Sequence, residues 1–228
     1  MTYVLGIDVG SGYCKAVVCE DSAIRSFDVM LSGGDYKGTS VKVVHNALSK
    51  SGLSMSDIAY TVSTGYGAAA VDFADSSLTD MSAHGYAIHH LFPSVRTVID
   101  IGAQFSRAIR VNEWGKLTQF ILNEKCAGGS GKFLQTVARI LKIGVDEIGD
   151  LSLTATQPVE FTTGCAVFAE SEAVSRISEG ALPSDILAGI HKAMASKIVS
   201  LATRVGFMPD CAVTGGGAKE VGRVKPNE

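Results

Sequence analysis

A short pattern occurs twice in this chain of 228 residues: an apolar run leads to an aspartate, and a glycine follows two residues later. It reads GIDVG at 6–10 and DIGAQ at 100–104. Each time a second apolar run follows, which predicts two strands joined by a tight turn with a carboxylate at its tip. Backbone N–H groups in such a turn can surround phosphate oxygens, and the carboxylate can hold a metal ion through water. The repeat predicts two related subdomains with a nucleotide between them.

The first half of the chain, residues 1–94, is the first predicted subdomain. Apolar runs and helical spacing predict strands at 3–9, 13–20, 22–31 and 58–63 and helices at 38–50 and 80–92. The turn at 10–12 lies between the first two strands, and a glycine loop at 64–67 follows the fourth strand. Because glycine and serine favour turns in all proteins, an ordinary hairpin turn is the alternative to a phosphate-binding turn at 10–12.

The second half, residues 95–228, restarts the pattern and is the second predicted subdomain. Strands are predicted at 95–101, 105–111, 116–122 and 211–214 and near 159–162, and helices at 130–141, 166–179 and 183–204 and near 145–151. Ser184 is the predicted N-cap of the last long helix. The last strand leads into Gly215-Gly216-Gly217, a loop without side chains that can pack against a flat ring or a phosphate.

The composition excludes several classes of protein. A net charge of −3 gives no electrostatic basis for binding nucleic acid or an anionic membrane. The first residues are not those of a signal peptide, and no apolar run reaches the roughly 18 residues that a membrane helix needs. The chain has five cysteines, an odd number without the spacing of a disulfide framework. The expected location is the reducing cytoplasm.

Two cysteines occupy a distinctive position. Cys126 and Cys165 each lie in a short polar or glycine-containing segment directly before a predicted amphipathic helix. The N-terminus of a helix favours thiolate, the form that binds iron or zinc. Two cysteines are too few for a site with four thiolates, so a second subunit would have to supply another pair. The alternative is that both are small core residues, as most free cysteines are.

Two other patterns do not predict a site. His84, His89 and His90 lie in one predicted helix without a second cluster of metal-binding side chains, so we interpret them as surface or hydrogen-bonded core residues. The stretch from Cys126 to Phe133 is similar to a P-loop, but it lacks the first glycine and the final hydroxyl of that motif. We therefore reject a P-loop.

Several stretches together are similar to one protein family. The acidic turns and the Thr-Gly-Gly loop at 214–216 alone resemble the actin, hexokinase and Hsp70 superfamily. The cysteine segments single out the BadF/BadG/BcrA/BcrD ATPase family within it, whose members are activators of 2-hydroxyacyl-CoA dehydratases and ATP-hydrolysing subunits of benzoyl-CoA reductase. The matching stretches are VIDIGAQ at 98–104, KCAGGSGKFL at 125–134, CAVFAESE at 165–172, GIHKAMASKI at 189–198 and VTGGGA at 213–218.

The resemblance implies a duplicated α/β fold of the actin/hexokinase/Hsp70-like (ribonuclease H-like) type with a nucleotide cleft for ATP and Mg²⁺. Asp8 and Asp100 would hold the magnesium ion through water, and Gln104 is a candidate to orient the attacking water. The nucleotide would lie against these residues: Gly10, Ser11, Gly12, Lys15, Gly102, Gly215 and Gly216.

The resemblance also implies a dimer with one shared 4Fe–4S cluster, bound by Cys126 and Cys165 of each chain. The other chain would be a second copy or a paralogous subunit. ATP hydrolysis would then drive one low-potential electron, from a donor such as ferredoxin or flavodoxin, to an acyl-CoA reductase or dehydratase component in an anaerobic cell. The remaining cysteines match no ligand of the family and are interpreted as packing residues: Cys14, Cys19 and Cys211.

Three features depart from the family pattern. Gly12 follows Ser11 where a threonine is common, the second subdomain looks short after the Thr-Gly-Gly loop, and the second turn differs. Dehydratase activators usually have an aspartate after the glutamine of the second turn, whereas Phe105 follows Gln104 here. The stretch 101–110 looks closer to the BcrD-type subunit of benzoyl-CoA reductase, which favours a reductase subunit. Two alternatives stay open: a sugar or acyl kinase of the same superfamily, and a redox scaffold that binds nucleotide without hydrolysing it.

Overall fold

The computed structural model describes residues 2–123, 129–161 and 166–221. The chain forms two compact units, one from Met1 to His84 and one from Gly85 to Glu228. The division falls inside helix α2 (Asp80–Leu91), ahead of the boundary expected from the sequence. Among the helices in the described ranges, none combines the length and the apolar character that crossing a membrane requires.

The first unit is built on a mixed five-stranded sheet with the order β3-β2-β1-β4-β5. Its strands are β1 (Tyr3–Val9), β2 (Tyr13–Glu20), β3 (Ala23–Leu31), β4 (Ile58–Thr64) and β5 (Ser76–Ser77). The first three strands are antiparallel, whereas β4 runs parallel to β1. A parallel pair needs a crossover connection, which helix α1 (Tyr36–Ser51) supplies. The helices and the four longer strands predicted for this half are confirmed, and β5 was not predicted.

Helix α1 begins and ends at recognisable signals. The Asp35 carboxylate accepts a hydrogen bond from the N–H of Gly38 (2.8 Å), and Gly52 ends the helix in the left-handed conformation with φ of 70°. Its buried face and alternate residues of β1 share one core, whose members include Val43, Val44, Ala47, Leu5, Ile7 and Val9. Because side chains alternate along a strand, Asp8 lies on the face of β1 opposite to this core.

The second unit repeats this topology in a four-stranded sheet with the order β8-β7-β6-β9. Its strands are β6 (Thr97–Ile101), β7 (Ser106–Val111), β8 (Leu117–Asn123) and β9 (Cys211–Thr214), as predicted within a few residues. Strands β6, β7 and β8 are antiparallel, and β9 runs parallel to β6. In both units the strand that carries the acidic residue therefore lies between one antiparallel and one parallel neighbour.

The connection from β8 to β9 contains four helices that share one core. They are α3 (Gly131–Leu141), α4 (Ile148–Ser152), α5 (Ala166–Ser178) and α6 (Pro183–Arg204), and a short helix α7 (Ala218–Val221) follows β9. The core between α3, α4, α5 and α6 includes Phe133, Leu134, Ile148, Ala173, Ile186 and Ile190. The C-terminal end of α6 packs on the sheet, where Leu201 and Val205 contact the cluster around Ile99 and Ile101. The helix predicted at 183–204 is confirmed, and its apolar side chains Ile186, Ile190 and Leu201 are buried.

The strand predicted near 159–162 is wrong for residues 159–161, which form no strand. The N–H of Val159 donates to the carbonyl oxygen of Asp185 in α6 (3.0 Å), so this segment is held by a helix and not by a neighbouring strand. Thr162 lies outside the described residues.

Two single-residue predictions also need correction. Ser184 is not the N-cap of α6, because the helix begins one residue earlier at Pro183 and Leu182 occupies the cap position. Proline suits the first helical position because its missing N–H would be unpaired there in any case. Cys211 is exposed and does not pack, because β9 is the edge strand of its sheet. Cys14 is buried as predicted, and Cys19 is half-buried.

Candidate nucleotide site and cysteine segments

The first acidic turn joins β1 to β2. The N–H of Gly10 donates to the carbonyl oxygen of Tyr13 (3.1 Å), which closes the turn. Asp8 is paired with Lys15 across the two strands, and Lys15 Nζ donates to Asp8 Oδ2 (2.6 Å). The side chain of Asp8 is 34% exposed and that of Lys15 is 48% exposed. The carboxylate is thus ion-paired through one oxygen and still reaches solvent.

The second acidic turn joins β6 to β7 with the same geometry. The N–H of Gly102 donates to the carbonyl oxygen of Phe105 (2.9 Å). Asp100 is paired with Arg107, whose Nε lies 3.2 Å from Asp100 Oδ2, and the Thr214 hydroxyl donates to Asp100 Oδ1 (3.3 Å). The Asp100 side chain is only 4% exposed. Both of its oxygens therefore contact partners within the second unit.

A glycine loop follows the parallel neighbour of each acidic strand. Gly65, after β4, has φ of 93°, and Gly215, after β9, has φ of 88°. A Cβ atom on Gly65 would lie 2.5 Å from Asp8 Oδ1, and one on Gly215 would lie 2.6 Å from Asp100 Oδ1. Both positions therefore require glycine for two reasons, the left-handed backbone and the close approach of a carboxylate.

Corresponding backbone hydrogen bonds also hold the two loops against their acidic strands. The N–H of Gly67 donates to the carbonyl oxygen of Val9 (2.8 Å), and the N–H of Gly217 donates to that of Ile101 (2.9 Å). The arrangement of aspartate, glycine turn, cation and glycine loop is therefore present twice in three dimensions, once in each unit.

The predicted nucleotide-site residues gather at these two turns. The first turn collects one set, which is Asp8, Gly10, Ser11, Gly12 and Lys15. The second turn and its loop collect the other, which is Asp100, Gly102, Gln104, Gly215 and Gly216. Within the second set Gln104, Gly215 and Gly216 are exposed, whereas Asp100 is buried.

Sequence reasoning missed Arg107 and Thr214, whose side chains contact the Asp100 carboxylate. One signal for Arg107 was available, because a cation follows each aspartate by the same spacing, Lys15 after Asp8 and Arg107 after Asp100. Thr214 belongs to the recognised Thr-Gly-Gly loop, but no local signal pairs it with Asp100, which it reaches through the pairing of β6 with β9.

Cys126 and Cys165 lie outside the described residues, but the helices that follow them are described. Helix α3 begins at Gly131 and α5 begins at Ala166, and the two helices pack in the same core. Arg139 Nη2 at the end of α3 lies 3.8 Å from Glu170 Oε1 in α5. In the described parts of the chain, no group of three or more histidine, cysteine or acidic side chains is arranged to hold a metal ion.

A cavity of about 510 Å³ lies beside α4 in the second unit. Its lining combines apolar and acidic side chains, which are Ile143, Asp146, Glu147, Asp150, Leu151 and Thr154. Helix α4 also contacts α7, which begins directly after the loop at 215–217.

Residues 5–226 match the model of the BadF/BadG/BcrA/BcrD ATPase family. The chain belongs to this family. The prediction from the acidic turns and the cysteine segments is thereby confirmed, and the two turns described above are those of an ATPase family. The matched range spans both cysteine segments.

Curated members of the family are similar over nearly the whole chain. The activator of lactoyl-CoA dehydratase from Anaerotignum propionicum is 41% identical over 224 residues, which are 98% of this chain and 86% of the relative. A benzoyl-CoA reductase subunit from Thauera aromatica is 34% identical over 232 residues, covering 99% of this chain and 82% of the relative. Over the whole chain, identity is thus higher to the dehydratase activator than to the reductase subunit. The stretch 101–110 alone had favoured a reductase subunit.

Solved structures confirm the predicted fold. The activator of the 2-hydroxyisocaproyl-CoA dehydratase from Clostridium difficile, solved with bound ADPNP, matches with a TM-score of 0.90 and 35% identity. The match covers 97% of this chain and 82% of that one. MreB 5 of Spiroplasma citri matches with a TM-score of 0.55 at 14% identity, over 96% of this chain and 86% of that one, which supports the actin/hexokinase-like α/β fold alone.

Proposed function

We propose that this chain hydrolyses ATP and uses the reaction to deliver one low-potential electron to an acyl-CoA dehydratase or reductase component. The observation that carries the proposal is the acidic turn that occurs twice with the same hydrogen bonds, cation and glycine loop. Two carboxylates, each beside a set of turn N–H groups, suit a nucleotide with its metal ion. The dehydratase activator with bound ADPNP supports the same ligand class.

The first turn supplies the groups for the phosphates in this proposal. Ser11 and Gly12 offer their backbone N–H groups, Gly10 shapes the turn through its own N–H bond to Tyr13, and Lys15 adds a positive charge beside them. Asp8 fits a water-mediated Mg²⁺ ligand, because its side chain reaches solvent and Lys15 engages only one of its oxygens.

Asp100 is less accessible to a magnesium ion than Asp8 is. Its carboxylate is almost fully buried, and Arg107 and Thr214 contact its two oxygens. We propose that it acts on the metal through water and that it fixes the second turn in place. Gln104 is exposed at the tip of that turn and is the candidate to orient the attacking water, because Phe105 replaces the usual carboxylate.

The adenosine is proposed to lie against Gly215 and Gly216, which are exposed and carry no side chains. The cavity beside α4 supports this placement, because α7 links it to the end of the glycine loop. An adenine ring needs an apolar surface and polar groups for its exocyclic amine, and the cavity offers both through Leu151 and Asp150.

The cysteines fit a cluster shared between two chains. Each precedes a helix of one common core, and a helix start favours thiolate. Two thiolates from each of two chains complete a 4Fe–4S site, with either a second copy or a paralogous chain as the partner. Such a cluster would accept one electron from a ferredoxin or flavodoxin type of donor and pass it to the acyl-CoA enzyme. A reducing, anaerobic cytoplasm suits it.

The test is the iron and acid-labile sulfide content of protein purified without oxygen. About two irons per chain in a brown dimer are expected for one shared cluster. Cys126→Ala and Cys165→Ala should each lose most of that iron. Cys211→Ala is the matched control, because Cys211 is exposed and lies in a strand far along the chain from both cysteine segments.

The outcomes separate the proposal from its alternatives. Iron-free dimer that phosphorylates a sugar or an acyl group would support a kinase. Normal cluster content without ATP hydrolysis, even beside an acyl-CoA enzyme, would support a redox scaffold. Nucleotide-dependent electron delivery to a dehydratase or reductase component, lost in both cysteine variants, supports the proposal.

A further inference from the structure

The turn between β6 and β7 is hydrogen-bonded to the start of α3. The N–H of Gly131 donates to the carbonyl oxygen of Gly102 (3.0 Å), and the N–H of Lys132 donates to that of Ala103 (2.7 Å). Gly131 and Lys132 are the first two residues of the helix. The second acidic turn is therefore connected through backbone bonds to the helix that follows Cys126.

These bonds replace an ordinary helix cap. The first N–H groups of a helix have no partner within it and are usually satisfied by a side chain at the N-cap. Ser130 occupies the N-cap of α3, yet its side chain makes no capping bond to the helix. The carbonyl oxygens of Gly102 and Ala103 accept these N–H groups in its place. A change in the backbone of the turn therefore changes the hydrogen bonds at the start of α3.

Ser106 adds a side-chain hydrogen bond to Gly129, which is nearer to Cys126 in the sequence than Gly131 is. It follows the turn as the first residue of β7, and its hydroxyl donates to the carbonyl oxygen of Gly129. Ser106 is 1% exposed and lies next to Arg107, which faces Asp100. Gly129 has φ of 97° and stands three positions after Cys126.

The segment before Cys165 is held differently. Asp185 Oδ1 accepts from the N–H groups of Thr156 and Gln157 (both 2.8 Å), and the Asp185 carbonyl oxygen accepts from Val159. Gly189, also in α6, leaves room for the backbone at Val159. These bonds attach the segment that precedes Cys165 to α6. The bonds of Gly131, Lys132 and Ser106 instead attach the segment that follows Cys126 to the acidic turn.

We infer that Ser106 is a positioning residue that links the second acidic turn to the Cys126 segment, so that the nucleotide acts on Cys126 and Cys165 unequally. The inference rests on the proposed function, because it assumes that the turn at 102–105 responds to the nucleotide. A rearrangement of that turn reaches Gly129, Gly131 and Lys132 through three hydrogen bonds. The helix after Cys165, α5, meets α3 through side-chain packing and the Arg139–Glu170 contact, so the movement reaches it less directly.

Hydrogen–deuterium exchange on the anaerobic wild-type dimer tests the inference without any substitution. The amides of Gly131 and Lys132 should exchange at least roughly threefold differently with ADP and with a non-hydrolysable ATP analogue, while those of Thr156 and Gln157 stay within about 1.5-fold. Equal exchange at Gly131 and Lys132 with both nucleotides bound would overturn the inference and leave the proposed function standing. Failure to bind either nucleotide would overturn both.

A pair of variants tests the side-chain link. Ser106→Ala removes the bond to Gly129, and Ser26→Ala is the matched control, because Ser26 is also buried and donates to a backbone carbonyl oxygen, that of Ala47 (2.6 Å). The readout is the rate at which a chelator removes iron, compared between the two nucleotides.

Ser106→Ala should reduce the ratio of the two rates by about threefold toward unity, with the nucleotide Kd within about twofold of wild type. Ser26→Ala should lower the melting temperature to a similar extent and keep the wild-type ratio. A wild-type ratio in folded Ser106→Ala would refute the role of Ser106. If Ser106→Ala does not fold, the exchange measurement on the wild-type dimer decides.

Discussion

Gly215→Ala tests the geometry of the second acidic turn most directly. Alanine would have to adopt a φ of 88°. The left-handed conformation costs a non-glycine residue about 1–2 kcal/mol. Its methyl group would also lie 2.6 Å from Asp100 Oδ1, closer than the two atoms can approach without a shift. Asp100 cannot move freely, because Arg107 and Thr214 hold it.

A shift of Asp100 weakens its hydrogen bond to Thr214, and one such bond contributes about 1 kcal/mol. Added to the backbone strain, this gives an expected loss of about 3 kcal/mol in the free energy of unfolding, measured by urea denaturation of the second-unit transition. The same shift should weaken ATP binding, which isothermal titration measures on the folded fraction.

Gly216→Ala is the matched control one residue away. No atom lies within 4 Å of the Cβ that it would add. Its stability should therefore stay within about 0.5 kcal/mol of wild type. If the adenosine lies against Gly216, the methyl group should still raise the Kd for ATP about tenfold, which is roughly 1.4 kcal/mol. The steric argument is wrong if Gly215→Ala is as stable as Gly216→Ala.

Three further predictions follow from the described packing. Burial raises the pKa of the Cys14 thiol to about 11 and also raises that of Cys211, but only Cys211 is exposed to a reagent. Iodoacetamide at about pH 8 should therefore label Cys211 slowly and leave Cys14 unmodified, as read by peptide mass spectrometry. Burial lowers the pKa of His191, whose Nδ1 lies 2.8 Å from the Ser152 hydroxyl. The unfolded chain therefore binds a proton at His191 more readily than the folded chain does, so the free energy of unfolding should fall as the pH is lowered from about 7 to 5. The fall should be smaller in His191→Asn. Gly189→Ala should lower the free energy of unfolding by about 1–3 kcal/mol, measured by thermal denaturation, because its methyl group would meet the backbone at Val159 that crosses α6.

The acidic turns were predictable because their signals are local. An apolar run, an aspartate and a glycine define each hairpin within a dozen residues, and the alternation of side chains fixes which face Asp8 occupies. The long helices were predictable for a similar reason, because apolar side chains recur along α6 from Ile186 to Leu201.

The partners of these elements were not predictable from local pattern. Thr214 reaches Asp100 only after β9 has paired with β6, and Gly129 meets Ser106 only after the chain has returned from β8. Both contacts depend on tertiary register, which periodicity does not encode. The exposure of Cys211 follows from the position of β9 at the sheet edge. The segment 159–161 has the apolar residues Val159 and Phe161 that suggest a strand, but the N–H of Val159 donates to the carbonyl oxygen of Asp185 in α6.

The two units differ mainly in the crossover between their parallel strands. Residues 32–57 join β3 to β4 in the first unit, whereas residues 124–210 join β8 to β9 in the second and include both Cys126 and Cys165. An insertion in a crossover leaves the strand pairing intact, because the ladder depends on the strands alone.

The strand pairing that shapes the nucleotide turns is therefore expected to survive loss of the proposed cluster. A chain with both Cys126→Ala and Cys165→Ala should lose its iron but retain the Asp100–Arg107 contact and bind ATP with a Kd within about threefold of wild type. Titration of ATP into the iron-free double variant measures this, and Cys211→Ala again serves as the control. Loss of ATP binding in a folded double variant would mean that the cluster organises the second turn, and the crossover would then be part of the nucleotide site.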